Sequence, residues 1–272
     1  MPVHCTIQIP RLTKEQFGEI SYRLMGEVFT IHQEFGRLFN ERIYKHELAL
    51  RLPGLQLEVP VDVTHRTFKK RYFLDVVTPD GALFEFKAVD ELTGRHRAQL
   101  LNYLLLLDLA QSKLVNTRTG DVQHEFVNAA LTTTERQQFK VEREHFDPTS
   151  PGASAFEGIL IPLLQDLGTG LELSLYEEAV THLLGGESIV EQTVEVQNRS
   201  GSVLGGQRMR LCADQAAFKI TTFTEPPLKY ADHCRRLLRH LNIEAIQWVN
   251  ISLHRVTFTT FRKTQGEPIS QP

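Results

Sequence analysis

The sequence predicts an α/β protein in which one set of helices and strands occurs twice in tandem. Three observations carry that prediction. Residues Tyr72–Ala88 read as an antiparallel hairpin: an apolar strand, a Pro79-Asp80-Gly81 turn, then a strand alternating Leu83, Glu85 and Lys87 against Ala82, Phe84 and Phe86. Amphipathic helical periodicities stand before and after it. The same order of elements returns in the second half of the chain, at offsets of 132 and 134 residues.

Phe17, Ile20, Leu24, Val28 and Ile31 recur at helical spacing between Thr13 and Phe35, and Gly36 interrupts that helix. A second helix is expected over Leu38–Leu52, with Phe39, Ile43 and Leu48 on its apolar face and Glu41 and Tyr44 three apart on another. Leu55–Thr64 alternates as a strand, a basic turn covers His65–Arg71, and the hairpin follows. A strongly apolar helix over Arg95–Ala110 places Gln99 and Tyr103 four apart, on one face. Strands at Ser112–Asn116 and Val122–Ala129 are joined by the turn sequence Arg118-Thr119-Gly120-Asp121. Residues 1–145 are expected to form one domain, 146–154, with Pro148-Thr149-Ser150-Pro151-Gly152, a linker, and 155–272 a second domain.

A formal net charge of −3 and a pI near 6.4 exclude the uniformly basic surface of many nucleic-acid-binding domains. Any contact with nucleic acid must come from a local patch. Cys5, Cys212 and Cys234 are scattered without a CxxC pair, which argues against a zinc ribbon or iron–sulfur cluster and for a reducing compartment. Residues Met1–Pro10 lack the charged and apolar regions of a signal peptide, and the apolar run in Gln99–Ala110 falls short of the roughly 20 residues that span a bilayer. A cytoplasmic protein without a membrane partner is expected.

Asp75 lies inside an apolar strand, where an unpaired carboxylate is costly, and Glu85 and Lys87 emerge on one side of the next strand. Three charges converging on a small sheet suit a metal site. Taken singly, Glu85 and Lys87 also describe an ordinary solvated strand edge, and what distinguishes them is their company. An acidic residue, an E-x-K on the next strand and a Q-x-x-x-Y on the following helix, here Asp75, Glu85-Phe86-Lys87 and Gln99 with Tyr103, resemble the RecB-like branch of the PD-(D/E)XK nuclease superfamily. The upstream Gly36-Arg37-Leu38-Phe39-Asn40-Glu41-Arg42-Ile43-Tyr44 is similar to the signature of the GxxExxY proteins within it. It departs at Leu38, where that family usually has glycine. The resemblance covers Glu34–Ala129.

The resemblance implies that each copy has a restriction-endonuclease-like fold, a mixed central sheet flanked by helices, and that the first copy is a nuclease using Mg2+ or Mn2+. Hydrolysis of a phosphodiester needs an activated water and neutralisation of developing charge, which a hard divalent cation held by one or two carboxylates supplies. Asp75 and Glu85, with the Phe86 carbonyl, become the candidate metal ligands. Lys87 would orient or deprotonate the water and stabilise the transition state. Glu41 would bind a metal water or a second ion, Gln99 would hold the scissile strand or Lys87, and Tyr103 would contact phosphate or pack in the core. Lys69, Lys70 and Arg71 would grip phosphates beside the metal. DNA is expected in preference to RNA, by analogy of fold and motif. A reading from a different class is a non-catalytic nucleic-acid-binding or scaffolding protein that keeps the carboxylates without turnover.

In the second half the same offsets replace Glu41 by Leu173, Asp75 by Met209, Glu85 by Lys219, Lys87 by Thr221 and Gln99 by His233. An inactive repeat is expected, which makes the chain a monomeric pseudo-dimer or, with self-association, a homodimer. Arg235, Arg236, Arg239 and His240 on its last long helix are a further candidate surface for phosphates.

Overall fold

Apolar periodicity decides where this chain becomes helix or strand, and short polar caps decide where each element ends. The computed structural model describes residues 2–225 and 228–263. They divide into a first unit, residues 2–64 with Lys69–Glu135, and a second, His65–Phe68 with residues 136–225 and 228–263. Among the described residues no helix is long and apolar enough to cross a membrane.

The first unit runs β1 (Val3–Cys5), α1 (Lys14–Phe35), α2 (Glu41–Arg51), β2 (Gln56–His65), β3 (Phe68–Val77), β4 (Leu83–Lys87), α3 (Gly94–Leu107), β5 (Gln111–Asn116) and β6 (Gln123–Asn128). Helix α1 starts in a capping box, with Thr13 and Gln16 bonding each other's backbone N–H groups. It stops at Gly36, whose φ of +69° suits glycine. Asn40 caps α2, so this helix begins at Glu41 rather than at the expected Leu38. Phe17, Ile20, Leu24, Val28 and Ile31 of α1, with Tyr44 and Leu48 of α2, pack on Val76, Phe84, Phe86 and Val115 of the sheet.

The sheet order is β1-β2-β3-β4-β5-β6. Strands β2 and β3 are joined by only Arg66 and Thr67, so they form a hairpin, and β3 and β4 pair antiparallel. Strand β4 pairs parallel to β5 across the α3 crossover, and β5 pairs antiparallel to β6. The expected basic turn over His65–Arg71 is therefore two residues long, and Lys69, Lys70 and Arg71 lie within β3.

Helix α4 (Thr133–Arg136) ends at the division, after which come β7 (Lys140–His145), α5 (Ala153–Leu167), α6 (Leu173–Leu183), α7 (Glu187–Val190), β8 (Glu191–Gln197), β9 (Val203–Ala213), β10 (Ala216–Thr221), α8 (Leu228–His240), β11 (Ala245–Ile251) and β12 (Arg255–Arg262). The expected boundary differs here. Strand β7, placed by the sequence in the first domain, pairs parallel to β12. Arg136 is buried and donates to the carbonyls of Leu167 and Thr169, which fastens the segment into the second unit. The expected linker 146–154 is no free tether either: Ser150 is buried and accepts a hydrogen bond from Gln247 of β11. Residues 264–272 of the expected second domain lie outside the described residues.

The second sheet has the order β7-β12-β11-β10-β9-β8. Its β8 and β9 pair antiparallel, β9 and β10 antiparallel, β10 and β11 parallel, and β11 and β12 antiparallel. That is the succession of senses from β2 to β6. Lys87 faces Asn116 across the parallel pair of the first sheet, as Thr221 faces Asn250 across that of the second. The two sheets differ at their edges, where β1 lies beside β2 and β7 lies beside β12.

Candidate active site

Alternation along β4 sends Phe84 and Phe86 into the core under α1 and α2 and turns Glu85 and Lys87 to the other side. There the Lys87 ammonium donates to Glu85 Oε1 at 2.7 Å. On the neighbouring strand Asp75 is buried, and its Oδ2 accepts the Phe86 N–H at 2.8 Å. This bond ties the acidic residue of β3 to the middle of the E-x-K on β4. The sequence thus brings its three central charges to one place.

Two residues absent from the sequence reading join them. Lys45 of α2 is 2% exposed, and its ammonium donates to Asp75 Oδ1 at 2.6 Å. It also donates to Glu58 of β2 and lies 3.8 Å from Glu41 Oε1, one helical turn back. Glu58 adopts a φ of +51° inside its strand, a conformation unusual for a residue with a side chain. Four carboxylates, Glu41, Glu58, Asp75 and Glu85, therefore surround two ammonium groups, Lys45 and Lys87.

Electrostatics at the site follow from that imbalance. Burial pushes the Glu85 carboxyl up to about 8, the Asp75 charge works in the same direction, and Lys87 opposes them. Burial, then Asp75, likewise raises Glu41. Burial works against the charge of Lys87, but Glu85, Asp75 and Glu41 outweigh it and hold the ammonium above its ordinary range. Lys45 behaves in the same way, with Asp75 and Glu58 outweighing burial.

These residues suit a divalent cation. Glu85 Oε2 is buried and finds no hydrogen-bond partner among the described residues. A buried carboxylate oxygen in that state is costly unless a positive group completes it. Fully ionised, the four acids and two amines leave two negative charges, the complement of one divalent ion. Among the described residues no three His, Cys, Asp or Glu side chains form a ready-made metal cage, so the fit rests on Asp75 and Glu85, with the Phe86 carbonyl as a further oxygen in the sequence between Glu85 and Lys87. Magnesium is commonly held by one or two carboxylates and keeps several waters.

The remaining predicted residues are placed differently. Gln99 donates to the Tyr103 hydroxyl at 2.9 Å, not to Lys87, and Tyr103 meets the edge of Tyr72. Lys69 and Arg71 both bind Asp62 across the β2–β3 hairpin, at 2.8 and 2.7 Å, and Arg71 more than Lys69 holds that carboxyl well below its usual range. The Lys70 ammonium stands 5.1 Å from the centre of the Tyr72 ring. The basic run is thus partly engaged within the fold. Lys45 and Glu58 left a faint sequence signal, since Lys45 is four residues after Glu41 on one helix face, but Glu58 is brought in only by the pairing of β2 with β3.

In the second unit the positions 132 and 134 residues further along hold other chemistry. Met209 is buried in an apolar cluster with Cys234, Leu238 and Trp248. Thr221 donates to Asn250 and accepts from the Trp248 indole, while Glu177 is paired with Arg210 at 2.9 Å.

No curated protein and no solved structure matches the chain. A family model does: residues 18–128, which run from α1 through β6 and include the whole acidic site, match that of the PD-(D/E)XK nuclease superfamily.

Proposed function

We propose that the first unit is a divalent-metal-dependent nuclease acting on DNA. The observation that carries this reading is the buried, uncompensated Oε2 of Glu85, on a strand whose neighbouring charges are Asp75 and Lys87. Asp75, Glu85 and the Phe86 carbonyl would hold Mg2+ or Mn2+, which when bound lowers the pKa of a water and neutralises charge on the phosphate. Lys87 keeps its proton at Nζ, so it serves as a charged donor to the attacking water or a phosphate oxygen rather than as the base. Glu41, on the rim of the site with its pKa raised, is suited to hold a water that exchanges a proton. The choice of DNA rests on fold analogy.

Membership of the GxxExxY group is part of the proposal. Its support is local: Tyr44 donates to the Gly36 carbonyl at 2.5 Å, so these two motif residues brace the α1–α2 turn while Glu41 points to the chemistry. Leu38, which departs from the motif, is exposed and lacks a positive φ, so the turn does not require glycine there. We also read the second unit as a degenerate copy of the first, in keeping with the shared succession of strand senses. Tyr176 donates to the Gly168 carbonyl at 2.8 Å, repeating the Tyr44 bond with the same eight-residue separation. The Asn250 amide clamps the backbone N–H and carbonyl of Phe223 as the Asn116 amide clamps those of Val89. Three free cysteines fit a reducing compartment, here the cytoplasm.

The test is cleavage of labelled single- and double-stranded DNA and RNA by the full chain with Mg2+ or Mn2+, alongside Asp75→Ala and Lys87→Ala. DNA cleavage that falls by at least about a hundredfold in both variants is the expected result. Activity surviving both substitutions would overturn the site, and binding without cleavage would favour the non-catalytic role.

A further inference from the structure

Lys45 bonds the carboxylate that a cation at Asp75 would use. The residue is 2% exposed, and its ammonium lies 2.6 Å from Asp75 Oδ1, donates to Glu58 and stands 3.8 Å from Glu41 Oε1. The second Asp75 oxygen is taken by the Phe86 N–H. Each oxygen thus already accepts one hydrogen bond, so a metal bound to Asp75 would share an oxygen with the Phe86 N–H or with the Lys45 ammonium. The Phe86 N–H is fixed in the backbone of a central strand, whereas the Lys45 ammonium ends a flexible four-carbon stem.

We infer that Lys45 is an internal cation that occupies Asp75 and gives it up to a divalent metal, moving toward Glu58 and Glu41, so that it sets the affinity of the site. The inference rests on the reading of Asp75 and Glu85 as metal ligands. An ammonium and a divalent ion on one carboxylate oxygen repel strongly in a partly buried site, so one displaces the other. Glu58 is suited to receive the displaced amine. Its side chain is 55% exposed, it already accepts from Lys45, and it is held toward the site by a left-handed backbone that the surrounding strands must enforce. Lys45 is thereby a positioning residue: it keeps Asp75 paired and desolvated in place, and it makes the metal compete for entry.

Two measurements on the full-length protein test this. In the first, amines of the wild type are acetylated and Lys45 is followed by peptide mass spectrometry with and without Mn2+. Lys45 is expected to react at least about fivefold faster with Mn2+, as the amine leaves Asp75, while the exposed Lys14 is unchanged. In the second, Mn2+ binding is measured calorimetrically for wild type, Lys45→Met and Asp75→Asn. Lys45→Met is expected to bind at least about tenfold more tightly and Asp75→Asn to lose the site. If Asp75→Asn abolishes binding but Lys45 labelling is unmoved and Lys45→Met binds no more tightly, the role of Lys45 is overturned and the metal site stands. If neither wild type nor Lys45→Met binds Mn2+, both fall. Should Lys45→Met fail to fold, the labelling of the wild type decides alone.

Discussion

The two units share a framework and differ in what fills it. Each braces a helix–helix turn with a tyrosine hydroxyl on a glycine carbonyl, and each clamps the segment after its parallel strand pair with an asparagine. Where the first unit places Asp75, buried and bonded to Lys45, the second places Met209 in an apolar cluster. Where the first has Lys45, the second has Glu177, already satisfied by Arg210. Framework and chemistry are therefore separable in this chain: the turn and clamp bonds stand in both units, whereas the cluster of buried carboxylates and ammonium groups stands in the first.

The most disruptive way to break the comparison is to exchange the two residues. Asp75→Met in the first unit is expected to abolish cleavage, by at least about a thousandfold, while leaving a folded protein, since Lys45 keeps Glu58 and Glu41 as partners. Met209→Asp in the second is expected to destabilise that unit by about 3–5 kcal/mol, because a carboxylate would enter an apolar cluster with no ammonium in the place of Lys45. Nuclease assays and denaturant titration check the pair. Equal tolerance in both units would mean that the charged group is not what distinguishes them.

A smaller effect follows from Glu85. Its pKa rises from 4.5 in the unfolded chain to about 8 in the fold, so between those values the native state holds more protons. Stability of the first unit is therefore expected to be greatest below pH ~4.5 with respect to this group, to fall as the pH rises, and to level off above ~8, by a few kcal/mol in all. Glu85→Gln should flatten that slope while removing activity. Chemical denaturation of both proteins at pH 5 and pH 8 measures it, and parallel slopes would remove Glu85 as the cause.

Much of this arrangement was legible in the sequence, and the gaps have physical reasons. Helices α1 and α3 and the β3–β4 hairpin announced themselves through periodicity and turn chemistry that are local. Asp75, Glu85 and Lys87 followed because alternation on adjacent strands fixes their sides. Strand β7 was missed because Lys140-Val141-Glu142-Arg143-Glu144-His145 is a polar edge strand whose pairing partner lies more than a hundred residues away. Taking His65–Arg71 as a loop hid the tight hairpin at Arg66 and Thr67, and with it the capture of Lys69 and Arg71 by Asp62. Lys45 and Glu58 were not legible for a related reason. A lysine in a helix is usually solvated, and only the tertiary approach of α2 to β2 and β3 turns this one into the partner of Asp75.

The framework itself gives two gentler comparisons. Asn116→Ala and Asn250→Ala each remove an amide that bonds a backbone N–H and carbonyl, of Val89 and Phe223 respectively, so each is expected to lower stability by about 2 kcal/mol. The finest distinction concerns the two tyrosines. Tyr44→Phe removes one hydrogen bond, to the Gly36 carbonyl, at a partly buried position, with an expected loss of about 1 kcal/mol. Tyr176→Phe removes the equivalent bond to Gly168 and also the acceptor for the Leu171 N–H, at 3.1 Å in a fully buried setting. Its loss is expected to be larger, about 2 kcal/mol, because a buried donor is left without a partner. Denaturation midpoints of the two variants in the full chain separate the cases. A larger loss for Tyr44→Phe would mean that the turn in the first unit carries a load beyond its single bond, drawn from the neighbouring Glu41 and Lys45, and that framework and chemistry are coupled there after all.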